Sequence, residues 1–318
     1  MGYAGRSVAH GAAAVLGGVD LCAVVRAVWG CDDGAMGLIV STEELADRLG
    51  EPRLVVADVR WNPAPPPSGA EQFAAGHVPG AAYLDLDDDL SDRSDLSLGR
   101  HPLPTPTEFV ENLARVGIGR GSFVVCCDDM CGAIAARLWW MLRHWLGHED
   151  VAVLDGGLGP WRAEGRKIET GESAALDRAS DPIAGDVRDV AVTLAGAKKH
   201  LAGGGVLLDA RSPERYRGEA EPLDAKAGHI PGATNRWLES NLVRSATDDA
   251  VAVFKGSAEL RRELEPYEAA DVASSCGSGV TACHTILAFE LAGLPAPKLY
   301  VGSWSEWLQH EPGAVGDA

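Results

Sequence analysis

Short apolar runs punctuate the chain at regular distances. Arg53-Leu54-Val55-Val56-Ala57-Asp58-Val59-Arg60 is a β-rich run that ends in charge. Val206-Leu207-Leu208-Asp209-Ala210-Arg211 repeats the pattern, and related runs stand at Phe123–Asp128, Val151–Asp155 and Ala270–Ser274. Apolar runs of this length, bounded by turn residues, predict buried strands. Helical patterns lie between them. Ser41 or Thr42 caps a helix with an acidic first turn at Glu43 and Glu44. Trp139 to Leu142 falls on a second helix. His284 to Gly293 predicts a third, with Ile286, Leu287 and Leu291 on one side and Gly293 as its stop. Alternating strands and helices predict a parallel sheet covered on both faces, an α/β fold.

The pattern occurs twice. Asp58 and Asp209 end matching strands, with an offset of 209 − 58 = 151. Gly76-His77-Val78-Pro79-Gly80 and Gly228-His229-Ile230-Pro231-Gly232 are matching turns, with an offset of 229 − 77 = 152. Asp128 and Cys276 follow matching strands, with an offset of 276 − 128 = 148. Three landmarks at one near-constant spacing argue for tandem duplicated domains. The expected division is an N-terminal extension over 1–37, a first domain over 38–165, a linker over 166–187, a second domain over 188–312 and a tail over 313–318. The length of 318 residues suits two domains of ordinary size. Because His77 and His229 occur in both copies, they are assigned to turn geometry rather than chemistry.

The chemistry concentrates at Ser275-Cys276-Gly277-Ser278-Gly279-Val280-Thr281-Ala282-Cys283. Cys276 falls on a strand-to-helix turn with two glycines in the next three residues. Such a turn points successive backbone N–H groups inward, and the helix N-terminus adds partial positive charge. A nest of this kind stabilises a thiolate, a persulfide or an oxyanion. A cysteine phosphatase needs an Arg six residues after its Cys to clamp phosphate, and that position is Ala282. Sulfur transfer needs the nest alone. In the first copy Asp128 replaces the Cys, and Asp129-Met130-Cys131-Gly132 holds a single late glycine. The expectation is that the first copy has lost the nest and is catalytically silent.

Composition narrows the partners. The formal net charge is −18, which excludes a nucleic-acid or anionic-membrane binder. An anion site here must therefore be locally positive. The seven cysteines, Cys22, Cys31, Cys126, Cys127, Cys131, Cys276 and Cys283, form no disulfide framework. A reducing cytoplasm suits them, and Cys127-x-x-x-Cys131 lacks a second pair for a metal. Cys283 is expected in the core. No apolar stretch reaches the roughly 18 residues of a membrane span. Ala12 to Trp29, interrupted by Asp20 and Arg26, lacks a signal-peptide plan.

Cys276-Gly277-Ser278-Gly279-Val280-Thr281 resembles the active loop of the rhodanese superfamily, and within it the 3-mercaptopyruvate sulfurtransferase branch. Thiosulfate-preferring members carry basic residues where this chain has Gly277 and Ser278. Tyr300-Val301-Gly302-Ser303-Trp304-Ser305-Glu306-Trp307 is similar to the family's closing motif, with Val301 in place of the usual Asp. The resemblance spans about residues 38–310. It implies two tandem rhodanese-like domains and transfer of a sulfane sulfur from 3-mercaptopyruvate or thiosulfate, through a persulfide on Cys276, to cyanide or a thiol such as thioredoxin. No cofactor or metal is implied.

The same resemblance implies a Cys276–Ser278–His101–Asp87 relay, with His101 and Asp87 reaching in from the first domain. The acidic run Asp85, Asp87, Asp88, Asp89 leaves open which carboxylate enters the cleft. Donor binding is assigned to Arg215 with the loop residues Gly277, Gly279, Val280 and Thr281. Arg211 repeats Arg60 and is expected to form an internal ion pair. The family's second substrate Arg has no counterpart in Glu219–Lys226, where Lys226 is the substitute at hand. The competing reading is a non-catalytic sulfur carrier or protein-binding rhodanese module.

Overall fold

The computed structural model describes residues 37–172, 177–248 and 251–311. The expected N-terminal extension (residue 37 apart) and the tail lie outside the described residues. The first half builds a parallel sheet from β1 (Ile39–Val40), β2 (Leu54–Asp58), β3 (Ala82–Tyr83), β4 (Phe123–Cys127) and β5 (Val151–Leu154), in the order β1-β5-β4-β2-β3. The second half contributes β6 (Ala191–Val192), β7 (Val206–Asp209), β8 (Thr234–Asn235), the antiparallel hairpin β9 (Leu242–Arg244) and β10 (Ala252–Phe254), β11 (Val272–Ser275) and β12 (Lys298–Tyr300). Its parallel sheet runs β6-β12-β11-β7-β8, the same order strand for strand. This is the duplicated α/β architecture that the offsets predict.

The repeated Asp-x-Arg is a buried device. Asp58 and Arg60 pair at 2.7 Å, as do Asp209 and Arg211. Each Arg then donates to the carbonyl that precedes the matching His: Arg60 to Gly76 and Arg211 to Gly228. His77 donates through Nδ1 to the Phe73 carbonyl and His229 to that of Tyr216, both at 2.8 Å. Each imidazole stacks on the same neighbour's ring at 3.8 Å. Both histidines therefore clamp a turn, as the repetition implied.

The helices that matter here are α1 (Thr42–Arg48), α2 (Gly69–Ala75), α3 (Pro106–Arg115), α4 (Ala135–Trp140), α5 (Leu158–Ala163), α6 (Leu194–Ala202), α7 (Pro213–Tyr216), α8 (Ser257–Leu264), α9 (Ala282–Leu291) and α10 (Ser303–His310). Ser41 is the cap of α1, accepting from the Glu44 N–H. α4 runs on into a π turn over Met141–Trp145. α9 departs from expectation. Its residues from Ala282 to Phe289 are all buried, so it has no wet side. The reason is tertiary: α9 lies between its own sheet and α4 of the first half. Gly293 ends it at φ +68°, as read from the sequence. No helix among the described residues is long and apolar enough to cross a membrane.

Candidate active site

β11 delivers Cys276 to the carboxyl edge of the second sheet, and α9 begins six residues later. The thiol-bearing residue is 2% exposed. Gly279 shapes the loop between them. It sits at φ +73°, and a Cβ there would stand 2.2 Å from the Val301 carbonyl oxygen. Only glycine satisfies both conditions.

The closing stretch, Tyr300 to Trp307, holds this loop from behind. The Cys276 N–H donates to Ser303 Oγ at 3.0 Å, and that hydroxyl donates to the Tyr300 carbonyl. The N–H groups of Trp304 and Ser305 donate to the carbonyls of Cys276 and Gly277. Val301 meets the loop through its backbone, so the departure from Asp leaves this contact intact. Ser303 adopts φ +52°, a conformation uncommon outside glycine, which its two hydrogen bonds hold in place.

The first-half loop corrects one expectation. Its nest is present, and Asp128 fills it. The buried carboxylate accepts N–H groups from Met130, Gly132, Ile134 and Ala135 at 2.7–2.9 Å. One glycine suffices because Cys131 itself takes positive φ, at +55°, beside Gly132 at +87°. The offset of 148 carries Met130, Gly132 and Ile134 onto Ser278, Val280 and Ala282. Asp128 thus marks where an anion rests in a loop of this design.

The two halves meet over Cys276. His101 Nδ1 lies 2.7 Å from Ser278 Oγ, and His101 Nε2 lies 3.0 Å from Asp87 Oδ1. A carboxylate only accepts, so Nε2 carries the proton and Nδ1 accepts from the Ser278 hydroxyl. Of the acidic run, Asp87 is the carboxylate that enters. Asp85 accepts the N–H groups of Asp87 and Asp88, Asp89 pairs with Arg115, and Asp88 is exposed. Trp61 packs edge-on against the His101 ring at 5.3 Å.

Burial pushes the His101 imidazole below its ordinary range, against the opposing pull of Asp87; Arg100 and Arg137 add to the depression. Burial would raise the Asp87 carboxyl, but hydrogen bonds from His101 and Trp61, with the Arg93 charge, hold it below the usual carboxylate range. At neutral pH the pair is a neutral imidazole beside an ionised carboxylate.

A cavity of about 60 Å³ opens at this junction. Cys276, Val280 and Thr281 line it from one half and Trp61 and His101 from the other. Arg215 reaches it from α7. Arg100 lines the cavity beside Arg215, and the Lys226 carbonyl accepts from Trp304 Nε1. Arg211 stays in its internal pair with Asp209, as expected.

Two further residues were not read from the sequence. Arg137 on α4 is fully buried and bridges the halves, donating to the carbonyls of Gly279 and His101 at 3.1 Å each. Its only signal was a cation inside the apolar helix that follows the first-half loop. Ser303 was inside a motif already noted, but its role as a prop is a matter of three-dimensional contact. Cys283 is core, with its thiol pushed up to about 12 by burial.

A family model described as a rhodanese-like domain matches residues 41–164 and again 193–310. The chain belongs to the rhodanese family. A Pseudomonas aeruginosa protein named a probable 3-mercaptopyruvate sulfurtransferase is 42% identical over 290 residues, covering 88% of this chain and 98% of its own. A Mycobacterium tuberculosis protein provisionally named a thiosulfate sulfurtransferase is 39% identical over 289 residues, covering 88% and 96%. The solved 3-mercaptopyruvate sulfurtransferase of Leishmania major superposes with a TM-score of 0.75 at 32% identity, covering 87% of this chain and 76% of that one. With relatives of this kind matched along most of its length, this rhodanese is a sulfurtransferase, an enzyme that takes sulfur from a donor and gives it to an acceptor.

Proposed function

We propose that this sulfurtransferase carries sulfur from 3-mercaptopyruvate as a persulfide on Cys276. The observation that supports this reading best is the line Asp87–His101–Ser278 ending beside Cys276. A thiol donor brings an S–H proton that must reach carbon, and a hydroxyl–imidazole pair serves that transfer. Thiosulfate brings no such proton. Gly277 and Ser278, uncharged where thiosulfate-preferring members are basic, favour the same donor.

Cys276 thiolate attacks the donor sulfur, an S–S bond forms, and the C–S bond breaks with its electron pair leaving on the pyruvate enolate. The S–H proton passes by way of Ser278 and His101 to the methylene carbon. The products are pyruvate and the Cys276 persulfide anion. The loop N–H groups and the α9 N-terminus stabilise the anion in both states, with Gly277, Gly279, Val280 and Thr281 shaping the cradle. Arg215 reads the donor carboxylate as a fork. The outer sulfur then moves to cyanide or to a thiol such as thioredoxin, in keeping with a reducing cytoplasm.

Thiosulfate is the second reading, supported by the name of the Mycobacterium tuberculosis relative. The test is kcat/KM for both donors with one acceptor, alongside the intact mass of Cys276 after donor treatment. A higher value for 3-mercaptopyruvate and a gain of one sulfur atom are expected. A thiosulfate preference overturns the donor. A protein that never gains sulfur leaves only a non-catalytic module. Cys276→Ser abolishes turnover with the fold intact, whereas Cys127→Ser, inside β4, leaves it nearly unchanged.

A further inference from the structure

Four arginines stand around the Cys276 sulfur. Arg100 and Arg215 line its cavity, and Arg211 and Arg137 lie close enough for their charge to act on it. Three are matched by carboxylates: Arg100 by Asp224, Arg215 by Glu221 and Asp224, and Arg211 by Asp209 and Glu221. Arg137 pairs with no carboxylate among the described residues; the groups that face its charge are Cys283, Cys276 and His101. It is completely buried on α4, and its Nε meets no acceptor among the described residues. A buried charge without a counter-charge is strongly disfavoured. We propose that Arg137 is a positioning residue of the sulfur-transfer site: it aims a backbone donor at the Cys276 sulfur and supplies the interior counter-charge for the thiolate or persulfide anion there. The loaded state rests on the persulfide reading above, whereas the free thiolate does not.

The aiming is a matter of peptide geometry. Arg137 Nη1 donates to the Gly279 carbonyl at 3.1 Å, and the Cys283 thiol donates to the same oxygen at 3.5 Å. The Gly279 carbonyl and the Val280 N–H belong to one planar trans peptide, so they point in opposite directions. Holding the carbonyl inward turns that N–H outward, toward the anion position of the loop. Val280 matches Gly132 at the offset of 280 − 132 = 148, and the Gly132 N–H donates to the Asp128 carboxylate at 2.8 Å. A charged donor on the carbonyl also polarises the peptide and strengthens its N–H as a donor. Through Nη2, Arg137 holds the His101 carbonyl at 3.1 Å. One side chain thus fixes both the nest and the root of the imidazole that faces it.

The charge has one sulfur to serve. Burial pushes the Cys283 thiol up to about 12 even with the guanidinium beside it, so Cys283 stays neutral. Cys276 opens on the cavity and is the sulfur left to carry the anion. Burial pulls the Arg137 guanidinium below its ordinary range, which lies so high that the group stays charged at neutral pH. The same cation helps to depress the His101 imidazole. One buried charge therefore favours an ionised sulfur and a neutral base together, the two states that the proposed first step needs.

The experiment follows alkylation of Cys276 by iodoacetamide against pH, read from the mass of its tryptic peptide, in wild type, Arg137→Met and Arg137→Lys. Arg137→Met is expected to move the midpoint up by about one pH unit or more. Arg137→Lys, which keeps the charge without the fork, returns most of that shift, a rescue that loosened packing would not show. A folded Arg137→Met protein with the wild-type midpoint overturns the proposal, as does an Arg137→Lys midpoint displaced as far as that of Arg137→Met. Should Arg137→Met fail to fold, nuclear magnetic resonance of the Arg137 Nε–H decides. Its shift is expected to titrate with the Cys276 midpoint in wild type and to lose that step in Cys276→Ser. A resonance that ignores the titration sinks the idea. Intact mass after treatment with inorganic polysulfide is a separate arm. Wild-type protein that never gains sulfur at Cys276 removes the persulfide reading, and the alkylation comparison still judges Arg137.

Discussion

His101 Nδ1 stands 2.7 Å from Ser278 Oγ, although 177 positions separate the two residues along the chain. Neither half holds this contact alone. Its function is proton transfer in the proposed mechanism, so Ser278→Ala and His101→Asn should each lower kcat for 3-mercaptopyruvate by about 10²- to 10³-fold. The double variant should be little worse than the more damaged single one, because the two groups act as a unit. Steady-state rates on the three proteins check this; losses that multiply would separate the residues.

The pH profile follows from the same pair. Burial depresses the His101 imidazole, so it stays neutral into mildly acidic solution. The acidic limb of kcat should therefore lie below the ordinary histidine range near 6.5. Asp87 favours the protonated ring and partly offsets the depression. Asp87→Asn should move the limb further down in pH, and Arg100→Met should move it up. Profiles shifting in the opposite directions would contradict this electrostatic account.

Asp128 is a structural anion. Four backbone N–H groups converge on its buried carboxylate. Asp128→Asn keeps the shape but replaces one acceptor oxygen with a donor, leaving buried N–H groups unmet. The expected loss is about 2–4 kcal/mol of stability, read by denaturant titration. A loss under about 0.5 kcal/mol would mean the carboxylate is not what holds the loop.

Gly279→Ala tests the active loop by sterics. Its Cβ would meet the Val301 carbonyl oxygen at 2.2 Å in a backbone conformation that disfavours alanine. The loop must shift, and displacement by about 1 Å costs on the order of 100-fold in rate. Near-native circular dichroism with turnover down by that factor is the expected pairing.

His284 supplies a pH-dependent cost. It is fully buried against Phe254 at 4.3 Å, and burial pulls its pKa down to about 3. The unfolded chain takes up a proton on this ring below about pH 6.5, while the fold refuses it until about pH 3. Falling pH therefore favours the unfolded state through this residue. Between pH 7 and pH 5 wild type should lose about 2 kcal/mol relative to His284→Gln. Asp155, pushed up to about 7 by burial, acts in the opposite sense, so the difference between the two proteins is the informative quantity.

Much of this was legible along the chain because it is local. The strands at Leu54–Asp58 and Val206–Asp209 declare themselves by composition, and their Asp-x-Arg endings by repetition. The turn after Ser275 declares itself by two glycines and a following helix. Other features were not legible for a physical reason. The nest around Asp128 depends on Cys131 adopting positive φ, which residue type does not announce. The all-round burial of α9 depends on a helix some 140 residues earlier in the chain.

The amino-acid order alone determined the duplicated α/β plan, the turn that carries Cys276 and the replacement of that Cys by Asp128 in the first copy, since each depends on neighbours a few positions away. Only the folded molecule decided which of four acidic residues meets His101, that Arg137 bridges the halves and that Arg100 stands beside Arg215 over Gly277. Those contacts join surfaces far apart in sequence. Burial, the crossing of α4 on α9 and the docking of one sheet's loops on the other's set them, and no local pattern encodes such distances.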